Sequence, residues 1–287
     1  MQPFELLRPS SLDEALGIIA DDPEVRPLAG GTALVVLLKQ GLLRPERVMD
    51  LKRIPAARGI AADEAGGLHI GALTSIGEVE RDPLVRTPYA ALAAACHTVA
   101  NVRIRNLATI GGNLAHADYQ SDPPAMLVAL DARVTVRSAT SQREENVADF
   151  LRSSYQTSLV PGELVTEVIV PPPAVGQRTA YVKFTTRSAE DRPCVGIALR
   201  LATVEGRCID LRVVVGAVSP APVRVVEAER LALGEQIDRE LVEEIATAAS
   251  VAVDPIDDVR GSAAYKRRLV GVLVRRTVLA QLEEGAA

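Results

Sequence analysis

The chain of 287 residues has no Trp, only 3% aromatic residues and three Cys. Each scarcity closes a class of function. So few rings cannot build the stacking platforms that hold single-stranded nucleic acid. A net charge of −5 removes the general attraction to a phosphate backbone, so no nucleic-acid partner is expected. Cys96, Cys194 and Cys208 are far apart and odd in number, which argues against a disulfide framework and for an intracellular setting. Three thiols also fall short of the four ligands of an iron–sulfur cluster, so any such cluster belongs to another chain. Neither His69 nor His97 has a partner at metal-ligand spacing, and His116 stands alone in a polar stretch, so no metal site is expected. No Ser-His-Asp or Cys-His arrangement stands out, and no catalytic residue is assigned. The first residues have neither a basic nor an apolar signal-peptide region, and no apolar run approaches a membrane span.

What remains is ordinary globular composition, 48% hydrophobic and 24% charged, with length for two or three modest units. Residues 1–57 read as a β-α-β-α-β lobe. A strand at 4–8 leads to a helix capped by Ser10 or Ser11, with Leu12, Ala15, Leu16 and Ile19 inward. Strands at 26–28 and 47–51 flank a helix ending at Gly41. Residues 58–173 read as a second unit. It has a strand at 68–71, a helix capped by Thr74 or Ser75 with Glu78 completing a capping box, and a buried Ala-rich helix near 89–99. A Pro123-Pro124 helix and strands at 133–137 and 164–170 follow. Pro171, Pro172 and Pro173 form the linker. Residues 176–287 show strands at 180–186, 195–204 and 209–217. Two helices then turn inward Leu241, Ile245, Ala248 and Ala252, and Val270, Leu273, Val274, Val278 and Leu282. Lys266, Arg267, Arg268, Arg275 and Arg276 form a basic stripe, either a solvated face or a docking surface for an acidic partner.

Two stretches carry chemistry. Residues 27–41 run from an apolar approach into Gly30-Gly31 and then a short helix. Residues 108–114 repeat the approach into Gly111-Gly112. A Gly pair lets backbone come close to a ligand, and free amides there favour an anion, most often a phosphate. Neither pair has the spacing of the dinucleotide fingerprint or of a P-loop, and an ordinary strand–turn–helix is the alternative reading of each. Together, each with amides and a small hydroxyl, they suit the two ends of one pyrophosphate.

The pair Ala-Gly-Gly-Thr and Thr-Ile-Gly-Gly-Asn resembles the FAD-binding medium subunit of molybdenum hydroxylases of the xanthine dehydrogenase and aerobic carbon monoxide dehydrogenase type. The resemblance covers nearly the whole chain, including residues 4–9, 12–15, 162–171, 181–184 and 264–276. It implies an α+β fold: a two-lobed FAD-binding domain of the PCMH (vanillyl-alcohol-oxidase-like) type, plus a C-terminal α+β domain with a three-stranded sheet and helices. It also implies that Leu28, Ala29, Gly30, Gly31, Thr32, Ala33, Leu34 and Val35 wrap the pyrophosphate. Thr109, Ile110, Gly111, Gly112 and Asn113 would meet it from the other lobe. Ala33 replaces the Ser or Asp common in the family, and Thr32 stands where some carbon monoxide dehydrogenase members have His.

By the same resemblance, Asp122 holds the adenosine end through ribose hydroxyls, its alternative being a cap on the Pro123 helix. Lys183 lies near the flavin, where a cation stabilises the reduced anionic ring, its alternative being an exposed strand Lys. Val99 and Leu164 give apolar or backbone contacts, or are plain core.

The implied partners are a large subunit with the molybdenum cofactor and a small subunit with [2Fe-2S] clusters, assembled as a dimer of heterotrimers. The implied acceptor is a quinone, NAD or oxygen. The implied location is cytoplasmic, with the complex able to sit at the inner face of the membrane. Two other readings remain: a self-contained FAD oxidoreductase, for which only Tyr181 and Arg187 offer acid–base candidates, and a non-catalytic assembly module, against which the intact Gly pairs speak.

Overall fold

The computed structural model describes residues 2–284; Met1 and residues 285–287, at the outer limits set for the first and last units, lie outside the described residues. Hydrogen-bonding caps start most of the helices, and three separate apolar clusters set the layout.

The first lobe contains β1 (Glu5–Leu7), α1 (Leu12–Asp21), β2 (Arg26–Leu28), α2 (Leu34–Gln40) and β3 (Arg47–Asp50). Ser11 begins α1 by accepting from the Glu14 amide at 3.1 Å, which satisfies one of the orphan donors of a helix start. Gly41 ends α2 with φ +71°, a left-handed conformation that glycine adopts without a Cβ penalty. The strands lie parallel in the order β1-β3-β2. Ala15, Leu16, Ile19, Val25 and Met49 form a small core that Leu164 completes from the next unit.

The second unit runs through β4 (Ile60–Ala62), β5 (Leu68–Gly71), α3 (Ile76–Arg81), α4 (Pro83–Arg86), α5 (Ala90–His97), α6 (Val102–Arg105), α7 (Ile110–His116) and α8 (Asp122–Ala129). Then come β6 (Arg133–Arg137), β7 (Gln142–Asn146), α9 (Val147–Phe150), β8 (Leu151–Ser153), β9 (Gln156–Thr157) and β10 (Leu164–Val170). An antiparallel sheet in the order β4-β5-β10-β6-β7 carries the helices. Ser75 rather than Thr74 caps α3, in a full capping box with Glu78. Thr74 instead uses its hydroxyl on the backbone of Gly59. The strand β7 is invisible to a hydrophobic-pattern reading because it is a polar edge strand, Gln-Arg-Glu-Glu-Asn, held in register by β6.

The last unit is β11 (Arg178–Phe184), β12 (Val195–Val204), β13 (Arg207–Gly216), β14 (Val223–Arg224), α10 (Val226–Ala232), α11 (Arg239–Ala252) and α12 (Ala263–Glu284). Its sheet has four strands, not the expected three, because the two-residue β14 is too short to leave a pattern. Strand alternation divides its faces. Ile197, Leu199, Val213 and Val215 face the helices, whereas Ala198 and Val214 join the core of the second unit. On α11 the buried stripe is Val242, Ile245, Ala246 and Ala249; Ala252, expected inward, is exposed. On α12, Val270, Leu273, Val274 and Val278 are buried as the periodicity predicts. The basic stripe is broken: Lys266 is 2% exposed and donates to the Ile256 carbonyl at 2.9 Å while pairing with Asp258 at 2.8 Å. It latches the loop before α12 and presents no charge to solvent.

Candidate cofactor-binding site

A cleft of about 580 Å³ opens between the first lobe and the second unit. Its walls come from the turn after β2, from α7, and from the loop at 159–163 with the start of β10. That volume is in the usual range for a cofactor site.

The turn after β2 is shaped by its glycines, and Gly30 explains why. A Cβ there would stand 2.0 Å from the Leu107 carbonyl oxygen. The close backbone approach made possible by Gly30 is therefore to the second unit rather than to a ligand. Gly31 has φ +79° and is crowded by Leu28 and Val35. No hydrogen bond within the described residues takes the N–H of Gly30, Gly31, Thr32 or Ala33, and Ala33 at the head of α2 has no capping side chain. Successive unpaired amides in a turn of this kind make an anion-binding concavity, and residues 30–33 all line the cleft.

The second Gly pair behaves differently. It lies inside the first turn of α7, and its amides are taken. The Ile110 amide donates to the Thr74 carbonyl and that of Gly111 to the Ala72 carbonyl, each at 2.9 Å. The Gly112 amide donates to Thr109 Oγ1 at 3.1 Å, and that of Asn113 to the Thr109 carbonyl at 2.8 Å. The expectation that both turns offer free amides is corrected: only the first does. Gly111 is required because a Cβ would meet Ala72 Cβ at 2.5 Å. What the second turn can present is the Thr109 hydroxyl proton, since its oxygen is already accepting. Asn113 is engaged with Ser121 Oγ, donating at 2.7 Å and accepting at 3.0 Å.

The structure brings Ala29, Gly30, Gly31, Thr32, Ala33, Leu34, Thr109, Gly111, Gly112, Asn113 and Leu164 together on the cleft wall. Leu28 and Val35 stand behind the first turn, flanking Gly31. Ile110 is fully buried in the core of the second unit. Val99 packs against that core, and its carbonyl accepts from Arg105 Nη1 at 3.1 Å.

Asp122 and Lys183 are not on the wall; they are joined to each other. Lys183 Nζ lies 3.1 Å from Asp122 Oδ2, with both side chains 5% exposed. The Tyr181 hydroxyl donates to Asp122 Oδ1 and Lys183 Nζ to the Thr98 carbonyl, both at 2.7 Å. Burial pushes the Asp122 carboxyl up to about 6, against the opposing pull of Lys183 and Tyr181. Neither alternative reading survives: the Asp122 carboxylate faces the C-terminal sheet rather than the helix amides, and Lys183 is not an exposed strand residue. The polar atoms of both side chains are thus turned on each other and on Tyr181 and Thr98, away from the cleft wall.

Sequence reasoning foresaw Leu164 but missed the wall contributed by its neighbours at 159–163 and Val165, by Glu24 and Arg26, and by His116. The His116 ring lies 5.2 Å from that of Tyr155, and burial lowers its pKa. The Pro161-Gly162 pair was the available signal for the loop. Glu163 fixes that loop by accepting from the Val160 amide at 2.9 Å and pairing with Arg143. No group of three or more His, Cys, Asp or Glu among the described residues could hold a metal ion.

The donors of this cleft are amides and hydroxyls with one arginine, which suits an anionic dinucleotide. Comparison with known proteins agrees. Residues 2–173 match the FAD binding domain in molybdopterin dehydrogenase, and residues 180–281 match the CO dehydrogenase flavoprotein C-terminal domain. The glyceraldehyde dehydrogenase medium chain of Sulfolobus acidocaldarius is 33% identical, over 95% of this chain and 96% of its own length. Quinoline 2-oxidoreductase from Pseudomonas putida 86 superposes with a TM-score of 0.94 at 29% identity, covering 100% of this chain and 99% of that one. Carbon monoxide dehydrogenase from Hydrogenophaga pseudoflava, in a form lacking the Mo-pyranopterin moiety, gives a TM-score of 0.92 at 32% identity, covering 96% of both chains. The chain belongs to the family of FAD-binding subunits of molybdenum-dependent dehydrogenases.

Proposed function

We propose that this chain is the electron-transfer subunit of a three-part molybdenum hydroxylase. It takes electrons from [2Fe-2S] clusters on a small subunit, which receives them from a molybdenum centre on a large one. An external quinone, NAD or oxygen then accepts them. Bound FAD supplies the redox chemistry of this step. The chain's own residues hold and orient the cofactor. Amides 30–33 and the Thr32 hydroxyl donate to the pyrophosphate from one side. The Thr109 hydroxyl donates from the other. Leu164 and its loop cover the apolar part of the cleft.

The observation that carries this reading is the run of unpartnered amides at residues 30–33, facing a cleft closed on its far side by α7. The relatives named as a medium chain support the multi-subunit arrangement. No helix among the described residues is long and apolar enough to cross a membrane, and we place the complex in the cytoplasm.

The test is the visible spectrum of the purified chain, with acid-released cofactor identified by mass. Flavin bands and about one FAD per chain are expected, with large and small subunits co-purifying on co-expression. A protein colourless both alone and in the co-expressed complex would sink the reading.

A further inference from the structure

The charge of the cleft wall leaves one group without a role. Among the described lining residues the strong charges are Glu24, Arg26 and Glu163. Glu163 is neutralised by Arg143. Arg26 is exposed, and its guanidinium makes no hydrogen bond or ion pair among the described residues. The unpartnered amides at 30–33 are neutral donors, and Ala33 adds no polar side chain. A diphosphate brings two negative charges into this cleft. Without Arg26 it would meet no cation there and would face the free carboxylate of Glu24.

We propose that Arg26 is the charge partner of the adenosine-side phosphate and makes the cleft select FAD over FMN. The inference rests on the FAD reading above. Position supports it. β2 ends at Leu28, so Arg26 stands four residues before Gly30, at most roughly 13 Å along the chain. A guanidinium reaching from there and a diphosphate seated on amides 30–33 close that span between them. The planar fork matches phosphate oxygens in a bidentate way that an ammonium does not. Arg26 thereby recognises the half of FAD that FMN lacks, while amides 30–33 serve any phosphate that enters.

The experiment compares the full chain, stripped of flavin, with Arg26→Gln and Arg26→Lys. The probes are FAD, FMN and ADP, titrated by calorimetry at low and high salt. Arg26→Gln should weaken FAD and ADP by at least about 10-fold, the low end for a charge-assisted contact. It should leave FMN within about twofold. Arg26→Lys should recover part of the loss, and the salt dependence of FAD binding should flatten in Arg26→Gln. Thermal unfolding of the flavin-free variant should match wild type, because Arg26 has no partner in the fold. Unchanged FAD affinity in Arg26→Gln, or equal losses for FAD and FMN, would overturn the proposal and leave the FAD reading standing. A wild-type chain that binds neither FAD nor ADP, alone or in its complex, would overturn both.

Discussion

Lys183 Nζ on β11 and Asp122 Oδ2 at the start of α8 stand 3.1 Å apart, and this buried pair ties the C-terminal sheet to the second unit. Breaking such a pair from one side leaves a charge without a partner in a dry place. Lys183→Met is expected to cost roughly 3 kcal/mol at pH 8, toward the low end for such pairs because the carboxyl can take up a proton. Adding Asp122→Asn should return a good part of that loss. Urea midpoints for both single variants and the double variant give the coupling; a purely additive double variant would sink the account.

The same carboxyl gives a pH signature. Burial raises its folded pKa to about 6 from the ordinary aspartate value of 3.8. Between those values the folded state binds a proton that the unfolded state does not, so this contribution is present below pH 3.8 and lost as pH rises through 6. Wild type should therefore lose stability relative to Asp122→Asn on going from pH 4 to pH 7, the opposite of an ordinary salt-bridged carboxylate. Urea unfolding of both proteins across that range checks the sign.

The glycines make unequal demands. A Cβ at Gly30 meets the Leu107 carbonyl at 2.0 Å and one at Gly111 meets Ala72 at 2.5 Å, both involving fixed backbone. A Cβ at Gly112 meets Thr109 Oγ1 at 2.7 Å, a side chain that can rotate away. Gly30→Ala and Gly111→Ala should each lower stability by about 2 kcal/mol or more, with Gly112→Ala clearly milder. Gly112→Ala should still weaken FAD, since it displaces the hydroxyl facing the cleft. Paired melting and binding curves separate the two effects.

Arg105 holds the turn that Lys183 leans on. Its Nε donates to Glu80 Oε2 at 2.7 Å, and its Nη1 donates to the Val99 and Ala100 carbonyls at 3.1 and 3.4 Å. Ala100 is held at φ +42°, a conformation that needs outside support. Arg105→Leu should cost about 2–4 kcal/mol by leaving these acceptors unpaired, and Arg105→Lys less. Hydrogen exchange should rise at residues 98–101 before it rises elsewhere.

Much of this protein was legible in its sequence because the signals were local. Ser11 with Glu14 and Ser75 with Glu78 sit three residues apart, the reach of a capping hydrogen bond. The stripe on α12 and the apolar run of β10 follow directly from periodicity. Where the reading slipped, the deciding partner was remote. β7 is a strand because β6 pairs with it, not because its residues favour one. Lys266 is buried because Asp258 and Ile256 receive it, although its neighbours Arg267 and Arg268 are exposed.

The sequence by itself determined the two Gly turns, the helices they lead into and the family to which they belong. Only the tertiary structure decided which turn keeps its amides free. At residues 110 and 111 the amides are taken by Thr74 and Ala72, more than thirty residues earlier in the chain, whereas those of residues 30–33 find no acceptor. Two Gly-Gly pairs that look alike in sequence become, respectively, a turn with unpaired amides and a helix start whose amides are satisfied. The reason is that a backbone donor is free or satisfied according to what the fold brings beside it, and no local pattern records that.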